Sequence, residues 1–284
     1  MQISAKVIAH SISPTGRQIA SLETCFNRFI LPEVNTHKIC SLSASSSRAI
    51  PTAKLLEQVR EAPAPFINWR MNQSGMQPAG EAPPEIADRA TEIHESYARM
   101  AADHAQQLAE LGIAKEQSNR YVEPVTWTRQ IMTSTSFANL LALRDHADAQ
   151  KEFQVLARLI REALENSTPT PLKFGEWHTP YVSREEYHDI GYEAALKASA
   201  ARSARVSFLN HDRSSPVLAK DFQLFEGLCL SNPAHMSPAA HQGTPTQDPD
   251  HRSRNFQGFV QFREVLEQMG FSGYEPSGVV DGFI

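Results

Sequence analysis

A chain of 284 residues, 41% apolar and 21% charged, can bury a sizeable core as one large globular domain or two small ones. Its 27 basic and 32 acidic residues leave a formal charge of -5, which excludes the broad basic face that polymeric nucleic acid needs. A small anion, by contrast, needs only two or three local arginines.

Three cysteines, Cys25, Cys40 and Cys229, are an odd number without C-x-x-C spacing, so neither a disulfide framework nor a metal site is expected. Cys40 and Cys229 read as small apolar fillers, and the setting expected is reducing and cytoplasmic. Met1 to Pro14 lacks the apolar run of a signal peptide, and no stretch reaches the roughly 20 apolar residues that span a bilayer, so a soluble protein is expected.

In chain order, Thr24 to Leu31 alternates apolar and polar residues before Pro32 and reads as a short strand. The serine-rich run Ser41 to Ser47 leads through Arg48 and Pro51 into a helical pattern carried by Leu55, Leu56 and Val59. Ala62 to Pro84, rich in Pro, Gly, Asn and Gln, reads as a long ordered loop. The spacing predicts a helix over Glu85 to Leu111, with an apolar stripe of Ile86, Ile93, Tyr97, Met100, Leu108 and Leu111 and a stop at Gly112. A second long helix is predicted from Phe137 to Leu164, with Phe137, Leu140, Leu141, Phe153, Leu156, Leu159, Ile160 and Leu164 inward. Ser183 and Glu186 form a capping box for a helix running towards Ala201. A strand at Arg205 to Leu209 follows, then helices at Lys220 to Leu230 and Phe259 to Met269. The intervening Asn232 to Arg254 is dominated by Pro, His, Gln and Asp.

Four segments then stand in a telling order: Asn119-Arg120 ahead of Glu123-Pro124, Thr128-Arg129, Asn139 five residues before Arg144, and Ala149-Gln150-Lys151-Glu152. They resemble the central segment of the flavin-dependent thymidylate synthases, which carries Ala-Arg ahead of Leu-Pro, then Thr-Arg, Asn-x4-Arg and Ala-Gln-x-Glu. Upstream, Thr36 to Arg48 resembles the family signature Arg-His-Arg-x-x-Ser-x-x-x-x-Ser-x-Arg, matching at His37, Ser41, Ser46 and Arg48. Lys38 keeps the charge, whereas Thr36 and Ala44 replace the first Arg and a Glu of the signature. Ala204 to Phe208 and His235 to His241 resemble two motifs that family members carry before the signature. Here they come last, so a circular permutation is expected, with residues 200–284 in the role of the usual N-terminal portion of one domain, 1–284.

The resemblance implies an α+β, ThyX-like fold with long central helices and a small antiparallel sheet. It implies nucleotide contacts at Ser46, Ser47, Arg48, Arg120 and Arg144, with Arg144 meeting the pyrimidine ring and favouring its anionic form. FAD contacts are implied at His37, Lys38, Ser41, Asn139, Asp148, Ser207, His235 and Ser237. Read from the residues alone, Ser46 and Arg48 are either donors to a phosphate or a solvated turn, and Arg144 either meets a ligand or pairs with Asp148. His37 and Lys38 are either cofactor contacts or a polar pair at a strand end, and the late serines either bind cofactor or cap short helices.

The activity implied is transfer of a one-carbon unit from methylenetetrahydrofolate to C5 of dUMP, with NADPH as reductant, in a homotetramer whose sites are shared between subunits. Asp148 stands where the family usually has a histidine. A carboxylate there can accept from the exocyclic amine of cytosine, so methylation or hydroxymethylation of dCMP or dUMP is the alternative. The losses at Thr36 and Ala44 keep open a noncatalytic flavin- or nucleotide-binding protein.

Overall fold

The chain opens on a hairpin, β1 (Ser4–Ile12) and β2 (Gln18–Asn27), turned at Gly16, whose φ of +84° suits a residue without Cβ. There follow α1 (Leu31–Val34), β3 (Ser41–Ala44), α2 (Thr52–Glu61), a two-rung hairpin β4 (Arg70–Met71) and β5 (Gly80–Glu81), and α3 (Pro84–Glu110). Next come α4 (Lys115–Ser118), a 3-10 stretch Asn119–Val125, β6 (Trp127–Ser134), α5 (Ala138–Arg144), α6 (Lys151–Glu165), β7 (Thr170–Pro171), α7 (Arg184–Ile190), α8 (Tyr192–Arg205) and α9 (Leu218–Cys229). A 3-10 turn Ser237–Ala240, β8 (Gly243–Pro245), β9 (Arg252–Ser253), β10 (Phe256–Gln257), β11 (Phe259–Gln261) and α10 (Phe262–Gln268) complete this computed structural model, which describes residues 1–206, 209 and 214–270.

The central sheet runs β3-β6-β2-β1-β7, antiparallel except where β7 joins β1 over two residues. Strand alternation gives it two different faces. Leu22, Phe26, Leu42 and Met132 point to one side, where α6 lays Phe153, Leu156 and Ile160 across them. Ser21, Thr133 and Ser43 point to the other, where the C-terminal part of the chain covers them. That part has its own core of Leu196, Ala200, Phe225, Cys229, Met236, Phe262 and Leu266. The α+β architecture is therefore as expected, with the late segments packed on the signature strand.

Several boundaries differ from the sequence reading. The first strand ends at Asn27 and a 3-10 turn occupies Arg28–Ile30, because Pro32 begins a short helix instead of closing a strand. The helix predicted from Phe137 to Leu164 is two, because Asp145 folds back to accept from Arg158 Nε (2.9 Å) and Arg161 Nε (3.0 Å). The Ser183 capping box forms, with its Oγ accepting from the Glu186 amide at 3.1 Å, but Gly191 at φ +79° breaks the helix after Ile190. Arg205 lies in α8 and not in a strand, while residues 207–208 of that expected strand lie outside the described residues. Phe259–Gln261 pairs with β8, so the last helix starts three residues later than predicted.

The largest difference is in α3. Its buried residues are Ala98, Ala101, Ala102 and Ala105, which let the helix approach Leu55, Leu56 and Val59 of α2 closely. The bulky stripe that the spacing marked as core faces outward, with Ile93 58%, Met100 52% and Leu111 79% exposed and Ile86 and Tyr97 also exposed. At about 100° per residue that stripe lies roughly a quarter-turn or more around the helix from the alanine face.

Candidate functional site

Two clusters form around the signature segment. The first is built on the 3-10 turn Ser47–Ala49 between β3 and α2. Ser47 is buried and its Oγ donates to Glu123 Oε1 at 2.5 Å. The same oxygen accepts from Arg120 Nη1 at 2.8 Å and from Arg28 Nη2 at 3.0 Å. Arg28 is in turn held by its donations to Ser45 O (3.0 Å) and Thr128 Oγ1 (3.3 Å), and Asn119 Nδ2 clamps the turn through Ser47 O and Ile50 O. Burial alone would raise the Glu123 carboxyl, but the Ser47 hydrogen bond and the two arginines outweigh it and hold the group below the usual carboxylate range. Ser46 is half-buried beside this cluster, and Arg48 is exposed with no hydrogen-bond or ion-pair partner among the described residues.

Ser47 and Arg120 meet at the Glu123 carboxylate, and Ser46 and Arg48 flank Ser47 along the chain. Arg28 and Glu123 were missed. Glu123 carried a signal, since it stands where the resembled family keeps Leu before Pro. Arg28, in a stretch read as strand, carried none.

The second cluster lies beyond the other end of β3. His37, buried after α1, accepts at Nε2 from Arg144 Nε at 3.0 Å, which places the ring hydrogen on Nδ1. The His37 ring meets Phe153 edge-on at 5.6 Å, and the Arg144 guanidinium carbon lies 4.7 Å from the Phe153 centroid. Burial first, and the charge of Arg144 second, push the His37 pKa down. Arg144 does not pair with Asp148, whose carboxylate is exposed 3.5 Å from His146 Nδ1. The strand between the clusters covers about 13 Å at roughly 3.3 Å per residue, so the two clusters stand at opposite ends of β3.

Other expected residues are scattered. Lys38 and Asn139 are exposed and have no side-chain partner among the described residues, whereas Ser41 is taken up, donating to Asn255 Oδ1 (3.1 Å) and accepting from Gln261 Nε2 (3.1 Å). His235 is exposed, with Nδ1 3.4 Å from Ser237 Oγ. The 3-10 turn beginning at Ser237 shows no side-chain cap, so that alternative reading of Ser237 fails. Ser207 lies outside the described residues. Burial pushes Cys40 up to about 11 and Cys229 up to about 12, so neither is a thiolate at neutral pH.

One polar row was not anticipated. His241 Nδ1 lies 3.0 Å from Thr133 Oγ1 and its Nε2 2.9 Å from Ser43 Oγ, while Thr133 Oγ1 lies 2.6 Å from Ser21 Oγ. Ser21 Oγ continues to His178 Nε2 at 2.9 Å, whose Nδ1 reaches Ser11 Oγ at 2.9 Å. Four hydroxyls on four neighbouring strands are joined by two fully buried histidines, and burial pushes each histidine down to about 3.

A mixed sheet packed by α6 on one face and by the C-terminal elements on the other defines an α+β protein. The sequence model of the thymidylate synthase complementing protein family matches residues 12–170, more than half of the chain, and the chain belongs to that family. No curated protein matches it. Among solved structures, the chain is similar to the UMP/dUMP methylase PolB from Streptomyces cacaoi bound with 5-Br UMP, at 14% identity and a TM-score of 0.45, covering 57% of this chain and 88% of that one. The same methylase bound with 5-Br dUMP gives 14% identity and a TM-score of 0.46 over 57% and 90%. No described helix is long and apolar enough to cross a membrane.

Proposed function

We propose that this chain is a cytoplasmic, flavin-dependent enzyme that transfers a one-carbon unit from methylenetetrahydrofolate to C5 of a pyrimidine deoxynucleoside monophosphate, dUMP, with NADPH as the source of reducing equivalents. Family membership supports the class. The observation that carries the substrate is the meeting of Ser47 and Arg120 at Glu123, with Ser46 and Arg48 next to Ser47 in the chain, a set of donors suited to a phosphate monoester. Arg144 is the residue proposed to meet the pyrimidine, where a guanidinium stabilises the N3-deprotonated ring and raises electron density at C5. His37, neutral and accepting from Arg144 Nε, fixes the direction of that guanidinium.

The residues fit FAD in part. Lys38 and Asn139 are free donors, His235 is exposed and Ser237 is half-buried, so these four can meet the cofactor's polar edge and diphosphate. The Ser41 hydroxyl is already satisfied by Asn255 and Gln261 and would have to exchange partners. When bound, the cofactor supplies the hydride, and the protein's own contribution is to place and polarise the nucleotide.

The two basic clusters sit at opposite ends of β3, which supports a site completed by a second copy, in a homotetramer. The exposed apolar stripe of α3 supports such self-association. The contacts of His241 with Ser43 and Thr133 support the permuted arrangement, with the late segment taking the place of the family's usual opening one. Asp148 favours a second reading, in which its exposed carboxylate accepts from the amine of cytosine and dCMP is methylated or hydroxymethylated.

The test is binding: purified protein should carry a flavin absorbance band, and dUMP affinity should fall at least tenfold in Arg48→Ala. Absence of both flavin and nucleotide binding would remove the proposal.

A further inference from the structure

Three donors from three different parts of the chain converge on a single carboxylate oxygen, Glu123 Oε1: the Ser47 hydroxyl, Arg120 Nη1 and Arg28 Nη2. Hydroxyl and guanidinium groups meeting at one oxygen are the arrangement that a phosphate oxygen selects. Here the protein fills it with its own anion. Arg28 is committed to that place, since its side chain is largely buried and also donates to Ser45 O and Thr128 Oγ1. Arg120 is half-exposed and Arg48 has no partner among the described residues, so both can still turn to an incoming group.

The local charge then matters. Arg28, Arg48 and Arg120 supply three positive charges and Glu123 removes one. The remaining two match a phosphate monoester, which carries about -1.5 to -2 at neutral pH. A longer polyphosphate brings more negative charge than the cluster can balance and meets the Glu123 carboxylate at close range.

We propose that Glu123 is a specificity-determining residue: a built-in counter-anion that lowers phosphate affinity and restricts the site to monophosphates. This rests on the nucleotide reading given above. Isothermal titration of the full-length protein with dUMP, dUTP and deoxyuridine tests it on four forms: unaltered, Glu123→Gln, Glu123→Leu and Glu123→Asp. The two neutral variants are expected to bind dUMP at least fivefold more tightly and dUTP more tightly still, with deoxyuridine unchanged and Glu123→Asp close to the unaltered protein. Two neutral replacements of different shape guard against one failing to fold, which thermal melting reports.

Weaker dUMP binding in both folded neutral variants, or equal changes for dUMP and deoxyuridine, would make Glu123 a structural brace and overturn the proposal. If no form binds either nucleotide, the nucleotide reading fails by itself. Thermal shifts with inorganic phosphate and pyrophosphate then decide the counter-anion: a larger stabilisation of Glu123→Gln by both anions supports it, and an equal or smaller one overturns it.

Discussion

His241 Nε2 lies 2.9 Å from Ser43 Oγ, joining a residue near the end of the chain to the strand that carries the signature. The pair is one end of the row that continues through Thr133, Ser21 and His178 to Ser11. Each ring is neutral, with one nitrogen donating and the other accepting, so protonation breaks a link and leaves a charge without water around it.

Stability should therefore fall in acid. Both histidines are pushed from an ordinary value near 6.5 down to about 3 in the folded protein, so the unfolded chain binds more protons between those values. The stability is fully present above about pH 6.5 and is lost progressively as pH falls towards 3. At pH 5 each histidine costs on the order of 2 kcal/mol, from about 1.36 kcal/mol per pH unit. Melting temperatures recorded from pH 8 to pH 4.5 should decline below 6.5, and His241→Gln should flatten part of that decline while lowering stability at pH 8. A melting temperature independent of pH over this range would contradict the buried row.

Replacing Ala102→Leu should destabilise the protein by about 1–3 kcal/mol, because α3 approaches α2 over small residues with no room for added methylenes. Chemical denaturation compares the variant with the unaltered chain, and an unchanged midpoint would mean that this interface is loose.

The outward stripe of α3 makes a different prediction. Met100→Glu or Ile93→Glu should leave the secondary structure intact and reduce the mass seen by light scattering, since both side chains are more than half exposed in the isolated chain. A mass that stays at that of the proposed homotetramer in both variants would place the contacts elsewhere.

The α3 result also shows where sequence periodicity stops being informative. The pattern located the helix to within a residue at each end, but one sequence carries two faces, a bulky one and an alanine one, and periodicity favours the bulkier. The close approach to α2 selects alanine, a tertiary choice that spacing along one helix does not record. The hairpin β1–β2 was legible only in part, because Ser11, Ser21 and the other polar residues on its covered second face dilute the alternation. The site divides in the same way. The serine turn and Arg120 follow from motifs, and Glu123 is visible as a departure from one. Arg28 and the row linking Ser11 to Ser43 depend on register and on the late segment's packing, so only the fold exposes them.

His37 and Arg144 give a local test of the pyrimidine contact. Removing the guanidinium in Arg144→Ala should raise the His37 pKa, since one of its two depressing causes is gone, and burial will keep it below the ordinary value. Imidazole resonances followed by NMR titration measure this directly. An unmoved His37 would show that the hydrogen bond at Nε2 does not persist in solution.

The central claim is one-carbon transfer to a pyrimidine nucleotide, and mass spectrometry of the nucleotide product tests it most directly. FAD-loaded protein is incubated with methylenetetrahydrofolate, NADPH and either dUMP or dCMP, beside an Arg144→Ala control. A dTMP product that disappears in the control is the expected result. A mass gain on dCMP alone, or a hydroxymethyl adduct, would move the assignment to the cytosine reading at Asp148, and no product from either nucleotide would contradict the enzymatic account.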